Sequence, residues 1–259
     1  MQEYNFIPAL CLKPKQFWEK VRKLALESEA DEILCYMYLM IKEADHKHIP
    51  IKIQDIRNFG KAITMFQGVD EWFERINKFA GDIGIELEHY IISSGLKEMI
   101  EGTSIARKFK KIYASSFMYD HNNVACWAGQ SVNYTTKTQY IFRINKGALD
   151  VNDKAGVNRF VLEKDRAVPF DKMIYIGDGD TDVPCMRLVK EKGGFSIAVY
   201  PPHKKGAREK IAHLIDDGRV NAVLPARYDE GSAIEKFVQI ALQKMHADIA
   251  LDRIRHDIP

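Results

Sequence analysis

Lys172-Met173-Ile174-Tyr175-Ile176-Gly177-Asp178-Gly179-Asp180-Thr181-Asp182-Val183-Pro184 is the stretch on which the fold turns. Met173 to Ile176 is a short apolar run with β-branched residues, closed by glycine, and it predicts a buried strand. Gly177 and Gly179 predict a tight turn, and the three aspartates crowded beside them repel one another unless something positive sits between them. Downstream, Pro184 suits the first turn of a helix, Leu188 and Val189 continue it, Lys190 and Lys192 suit its C-terminal end, and Gly193-Gly194 stop it. The stretch therefore spells strand, acidic turn, helix. In open α/β sheets ligands bind beyond the carboxyl ends of the strands, where a hard cation such as Mg²⁺ takes carboxylate oxygens.

Turn-forming and helix-capping roles account for one Asp-Gly pair, but poorly for three aspartates interleaved with two glycines directly after a strand. A calcium-binding EF-hand loop is excluded, because Val183 stands where it needs glycine and Val189 where it needs an acid. A dinucleotide-binding loop wants Gly-x-Gly-x-x-Gly. Here Gly177 and Gly179 are followed by Asp182, whose charge repels a pyrophosphate unless a metal intervenes.

The 259 residues can bury a large core, and a net charge of +2 with 29% charged residues gives no electrostatic case for nucleic acid. Cys11, Cys35, Cys126 and Cys185 show no paired spacing, which argues for reduced thiols rather than a disulfide framework or a zinc site. The apolar run Ile33 to Ile41 is too short to span a bilayer, and Glu3, Pro8 and the later lysines are in the wrong order for a secretory signal. A cytoplasmic protein without membrane or nucleic-acid partners is expected.

Residues 1 to about 85 read as helical, with Phe17-Trp18, Val21 and Leu24-Ala25, then Ile33-Leu34, Met37-Tyr38 and Met40-Ile41, at helical spacing. Ile49-Pro50-Ile51 breaks the pattern, and Val69 to Phe79 resumes it. His46-x-His48 has no third ligand nearby and reads as a solvated pair. From Ile85 the period changes. Glu88 to Ile92 predicts a strand, Ser93-Ser94-Gly95 a small polar turn, and Lys97, Met99 and Ile100 a helix whose N-terminus would suit an anion. Lys108 to Lys111 is basic and exposed, and Val124 to Trp127 is β-like.

Asn133 to Thr138 opens another helix, with Thr136 as the expected N-cap and Lys137 in the first turn. A cation there opposes the helix dipole unless an anion is bound nearby, whereas Lys146 at the other end is in routine company. Phe195 to Tyr200 and Asn221 to Leu224 predict two further strands. His203-Lys204-Lys205 follows the first of these as a solvated loop, and Ser232 with Glu235 predicts a capping box on a terminal helix.

Taken together, Ser93 after a strand, Lys137 opening a helix and Gly-Asp-Gly-Asp-Thr-Asp at 177–182 resemble, in order and spacing, the second, third and fourth motifs of the haloacid dehalogenase-like phosphatase superfamily. The nearest likeness is to its phosphoserine-phosphatase-like members. The resemblance covers essentially the whole chain, and the fourth motif is its specific part. It implies an α/β fold with a doubly wound, mainly parallel Rossmann-like sheet and a helical cap domain, with residues 1–85 as the cap and 86–259 as the core.

It also implies that Asp178 ligates Mg²⁺, that Asp182 ligates it or orients its waters, that Ser93 binds a phosphoryl oxygen with the backbone of Ser94 and Gly95, and that Lys137 neutralises the phosphoryl group. The implied reaction is Mg²⁺-dependent hydrolysis of a small phosphorylated metabolite through an aspartyl-phosphate, with phosphoserine the substrate by analogy and homo-oligomerisation left open. The alternative is a non-catalytic Mg²⁺- and phospholigand-binding or scaffolding protein of the same fold.

The family's first motif is an apolar strand ending in Asp-x-Asp, whose first aspartate attacks phosphorus. Asp-x-Asp occurs in this chain only at 178/180 and 180/182, inside the fourth motif. Three accounts follow: an N-terminally shortened phosphatase, a non-catalytic descendant, or a strand supplied by another chain. Little or no turnover is expected of the chain as it stands.

Overall fold

The computed structural model describes residues 6–9 and 12–257, so Glu3 and Cys11 lie outside the described residues. The protein is a mixed α/β chain that falls into two compact units, each built from two separate segments. Residues 1–64 and 89–137 form the first, and 65–88 and 138–259 form the second.

In the first unit, helices α1 (Phe6–Ala9), α2 (Pro14–Glu27), α3 (Glu32–His46) and α4 (Ile53–Lys61) precede the sheet. The apolar spacing read from the sequence gives α2 and α3 their buried stripes, Phe17 and Val21 on one and Cys35, Tyr36, Met37, Met40 and Ala44 on the other. Pro50 interrupts the helical run as expected, but α4 follows directly and was not legible, since its nine residues bury only Ile56 and Gly60.

The remaining elements alternate between the units along the chain. Helix α5 (Val69–Asp82) belongs to the second unit; β1 (Tyr90–Leu96), α6 (Lys97–Glu101), β2 (Lys111–Tyr119) and β3 (Ala125–Gln130) belong to the first. β1 pairs with β2 in parallel, and β2 with β3 antiparallel. Ile51, Ile56, Leu96, Met99 and Phe117 join the α2 and α3 stripes in one apolar cluster. Helix α4 meets α6 at backbone distance: a Cβ at Gly60 would lie 2.0 Å from the carbonyl oxygen of Met99, and one at Gly102 would lie 1.9 Å from that of Arg57.

The second unit then runs α7 (Lys137–Lys146), α8 (Lys154–Asn158), β4 (Ile174–Gly177), α9 (Val183–Glu191), β5 (Phe195–Tyr200), α10 (Ala207–Asp216), β6 (Ala222–Pro225) and α11 (Ala233–Asp257), with Lys137 itself the last residue of the first unit. Its sheet is parallel throughout, in the order β4-β5-β6, joined through α9 and α10. All three predicted strands are present here. Central β5 is buried along Ser196–Val199, as a parallel strand covered on both faces must be. Helix α9 ends as its sequence predicts: Gly193 takes a left-handed φ of 89°, and the N–H of Gly194 returns to the carbonyl of Val189.

Among the described residues no helix is long and apolar enough to cross a membrane. Cys35, Cys126 and Cys185 are thiols outside any disulfide, and burial together with the Asp31 and Glu32 carboxylates pushes the Cys35 thiol above its usual range.

Candidate functional site

The predicted acidic turn lies at the carboxyl end of β4. Asp178 and Asp180 are exposed, whereas Asp182 is buried, at 6% exposure. Gly177–Gly179 carries the chain out of the strand, a short 3₁₀ turn covers Asp180–Asp182, and the Asp182 N–H donates to the carbonyl of Gly179 at 2.9 Å. The glycine at 177 is dictated by space. A Cβ there would stand 2.6 Å from the Cβ of Asp182, a separation that side-chain carbons do not tolerate. Gly179 is different, with an extended backbone and no atom nearer than 3.9 Å to a built Cβ.

Successive residues of a strand face opposite ways, so Tyr175 and Gly177 share one face of β4. The room that Gly177 leaves is taken by Asp182, and the Tyr175 hydroxyl donates to Asp182 Oδ1 at 2.6 Å. Burial, with the Asp182 charge beside it, holds the Tyr175 hydroxyl well above its ordinary pKa, so it remains a donor. The other carboxylate oxygen, Oδ2, lies over the Gly177–Gly179 turn, 3.1 Å and 3.9 Å from Cβ atoms built on those glycines.

A small pocket opens at the ends of β4 and β5, lined among others by Gly177, Asp178, Asp180, Met186, Ile211 and Leu214. Tyr228, in the loop after β6, senses the same turn: burial and then the Asp178 charge push its hydroxyl up to about 12. That loop is tightly held. The Tyr228 N–H donates to the carbonyl of Gln67 at 2.8 Å, the Arg75 guanidinium donates to the Tyr228 carbonyl, and the ring meets Trp72 edge-on at 5.5 Å. Sequence reasoning passed over Tyr228 because no local pattern relates it to residues fifty positions away.

A Mg²⁺ ion keeps several waters and takes one or two carboxylates. An exposed Asp178 and a buried, oriented Asp182 at one strand end fit that demand. Among the described residues no group of three or more His, Cys, Asp or Glu side chains is arranged to hold a metal.

Ser93, Ser94 and Gly95 belong to the first unit and lie inside β1 rather than in a turn after it. The departure is partial, because the register slips between Ser93 and Leu96, leaving Ser94 and Gly95 outside the ladder. Ser93 Oγ accepts from the Gly95 N–H at 3.0 Å, closing a local turn within the strand. The Ser94 carbonyl accepts from the Tyr36 hydroxyl at 2.9 Å and from Ser115 Oγ at 3.3 Å, while Ser94 Oγ is buried with no hydrogen-bond partner. Helix α6 is only five residues long, and neither serine caps it.

Thr136 stands directly before α7, at the expected N-cap position, and Asn133 organises the turn that leads into it. Asn133 Oδ1 accepts from the N–H groups of Thr135 and Thr136 at 3.0 and 2.8 Å, and Thr136 Oγ1 returns the favour to the Asn133 N–H at 2.8 Å. Lys137, whose own N–H reaches the Asn133 carbonyl, opens the helix as expected, and it is buried at 4% exposure. The alternative lysine is committed elsewhere: Lys146 Nζ donates to the carbonyls of Val157 and Arg159 at 2.7 and 2.9 Å.

No family model matches the chain. A protein of Borreliella burgdorferi described as uncharacterized is 27% identical over an alignment of 201 residues that covers 70% of this chain and 67% of that protein.

Proposed function

We propose that this chain is a haloacid dehalogenase-like protein of the phosphoserine-phosphatase-like group, with a doubly wound Rossmann-like core and a helical cap, built to hold Mg²⁺ and a small phosphomonoester. Asp178 is the exposed metal ligand, and Asp182 ligates the ion or orients its waters. Ser93, with the backbone of Ser94 and Gly95, binds phosphoryl oxygens, and Lys137 neutralises their charge. The observation that carries this reading is the pair Asp178 and Asp182 at the carboxyl end of a parallel strand, with the buried member held by Tyr175.

When bound, the cation supplies charge neutralisation for a transferring phosphoryl group. Hydrolysis through an aspartyl-phosphate also needs the nucleophilic aspartate of an Asp-x-Asp motif closing an apolar strand, and Asp-x-Asp occurs in these 259 residues only inside the acidic turn. The chain alone is therefore a binder of metal and phosphate. Calorimetry with Mg²⁺ and tungstate is the test: heat that requires Mg²⁺ and disappears in Asp178→Ala and Lys137→Ala is expected, without turnover of an aryl phosphate. Absence of heat at millimolar ligand would overturn the binding reading, and robust turnover lost in Asp178→Ala would overturn the claim that the nucleophile lies elsewhere.

A further inference from the structure

Aspartate is among the strongest N-cap residues, because its carboxylate accepts the otherwise unpaired N–H groups of the first helical turn. Asp182 stands at the N-cap of α9 and makes no such bond; its backbone is helical, with φ −91° and ψ −17°, and Pro184 at the second helical position has no N–H to give. Its carboxylate is turned toward β4 instead, where Oδ1 takes the Tyr175 hydroxyl at 2.6 Å, a short bond of the kind a charged acceptor makes. Tyr175 is itself fixed, packed against Met186, Ala198, Leu214 and Val220. The missing side chain of Gly177 is what permits this arrangement, and it leaves Oδ2 over the turn that carries Asp178.

We propose that Tyr175 is a positioning residue for the cation site, its hydroxyl fixing the Asp182 carboxylate so that Oδ2 faces the turn that carries Asp178. The inference rests on the metal-binding reading above and adds to it a residue that no motif marks. Without the hydroxyl, nothing holds the rotation of the Asp182 carboxylate, and the site loses an oriented oxygen. Partners that orient metal ligands in this way typically matter by about 10- to 100-fold in metal affinity.

Mn²⁺ binding followed by electron paramagnetic resonance, together with the melting temperature of the metal-free protein, tests this on wild type and Tyr175→Phe. The expected result is Mn²⁺ affinity weakened about tenfold or more in Tyr175→Phe, with a metal-free melting temperature close to wild type. Equal affinity in the two proteins would overturn the positioning role while leaving the metal site intact. A large fall in the metal-free melting temperature that accounts for the weaker binding would also overturn it, by making Tyr175 a purely structural partner of Asp182. Wild type that binds no Mn²⁺ would instead remove the metal site itself. Asp178→Asn, which leaves the Tyr175 contact in place, serves as the control that abolishes binding.

Discussion

Gly177 and Asp182 approach so closely that the smallest possible side chain at 177 would lie 2.6 Å from the Asp182 Cβ. The first prediction follows from comparing this glycine with its neighbour. Gly177→Ala must displace Asp182 or the strand, and overpacking of this sort costs about 1–3 kcal/mol. Gly179→Ala meets nothing within 3.9 Å on an extended backbone, so its stability should change by less than about 1 kcal/mol. Urea denaturation of the two variants measures the difference. Equal destabilisation would mean that the close approach is not what selects glycine at 177.

Glu98 gives the second. It is 4% exposed, with Oε1 accepting from the Phe117 N–H at 3.2 Å and Oε2 buried without a hydrogen-bond partner. Burial raises its pKa, and the Glu101 charge adds to that against the opposing hydrogen bonds. A carboxyl whose folded pKa is raised binds more protons in the native state. Its contribution is complete below the unfolded value and is lost as pH rises through the folded one. Glu98→Gln keeps an acceptor for Phe117 and carries no charge, so it should equal or exceed wild type in stability at pH 7–8 and remove this component of the pH dependence. Denaturation midpoints between pH 4 and 8 provide the check, and an unchanged slope would sink the idea.

His89 acts in the opposite sense. Burial lowers its pKa to about 4. The unfolded chain therefore binds the proton that the native state refuses, and stability falls as pH drops from about 6.5 toward 4. The loss is at most about 3 kcal/mol, the equivalent of the shift. A non-titrating ring, as in His89→Phe, should flatten this acid limb. An identical limb in the variant would show that another group sets it.

Glu235 ties the start of α11 together. It accepts from the N–H of Gly231 at 2.5 Å and from Arg75 Nε at 2.9 Å, and its own N–H donates to Ser232 Oγ at 3.3 Å. Its side chain is 5% exposed and that of Arg75 27%, so removing one partner strands a poorly solvated charge. Glu235→Ala should cost about 3 kcal/mol, more than an exposed pair such as Lys78 with Asp82, which should cost less than about 1 kcal/mol. Thermal unfolding of Glu235→Ala and Asp82→Ala would expose any error in that ranking.

Elements set by local chemistry were the legible ones. The run Met173–Ile176, the glycines after α9, the run Phe195–Tyr200 and the capping Ser232 each act through neighbours a few residues away, and each appears near its predicted place. What could not be read depends on distant partners. Asn133, which holds the N–H groups of Thr135 and Thr136 ahead of α7, also donates its side chain to Asp31 Oδ2 at 2.5 Å, a hundred residues upstream. Ser93 to Gly95 look like a turn because their composition is that of one, yet pairing with β2 draws them into a strand and confines the turn to a bulge. Of the candidate site, the acidic turn was visible from spacing alone. Tyr175 was visible only as a strand residue, since nothing in the sequence says that its hydroxyl meets Asp182.

The chain passes from one unit to the other after residues 64, 88 and 137. A nascent polypeptide leaving the ribosome therefore cannot finish the first unit until it has already threaded part of the second, and Val69–Asp82 must wait for partners synthesised more than a hundred residues later. No single cut separates the two, so neither half is obtained by shortening the gene from one end.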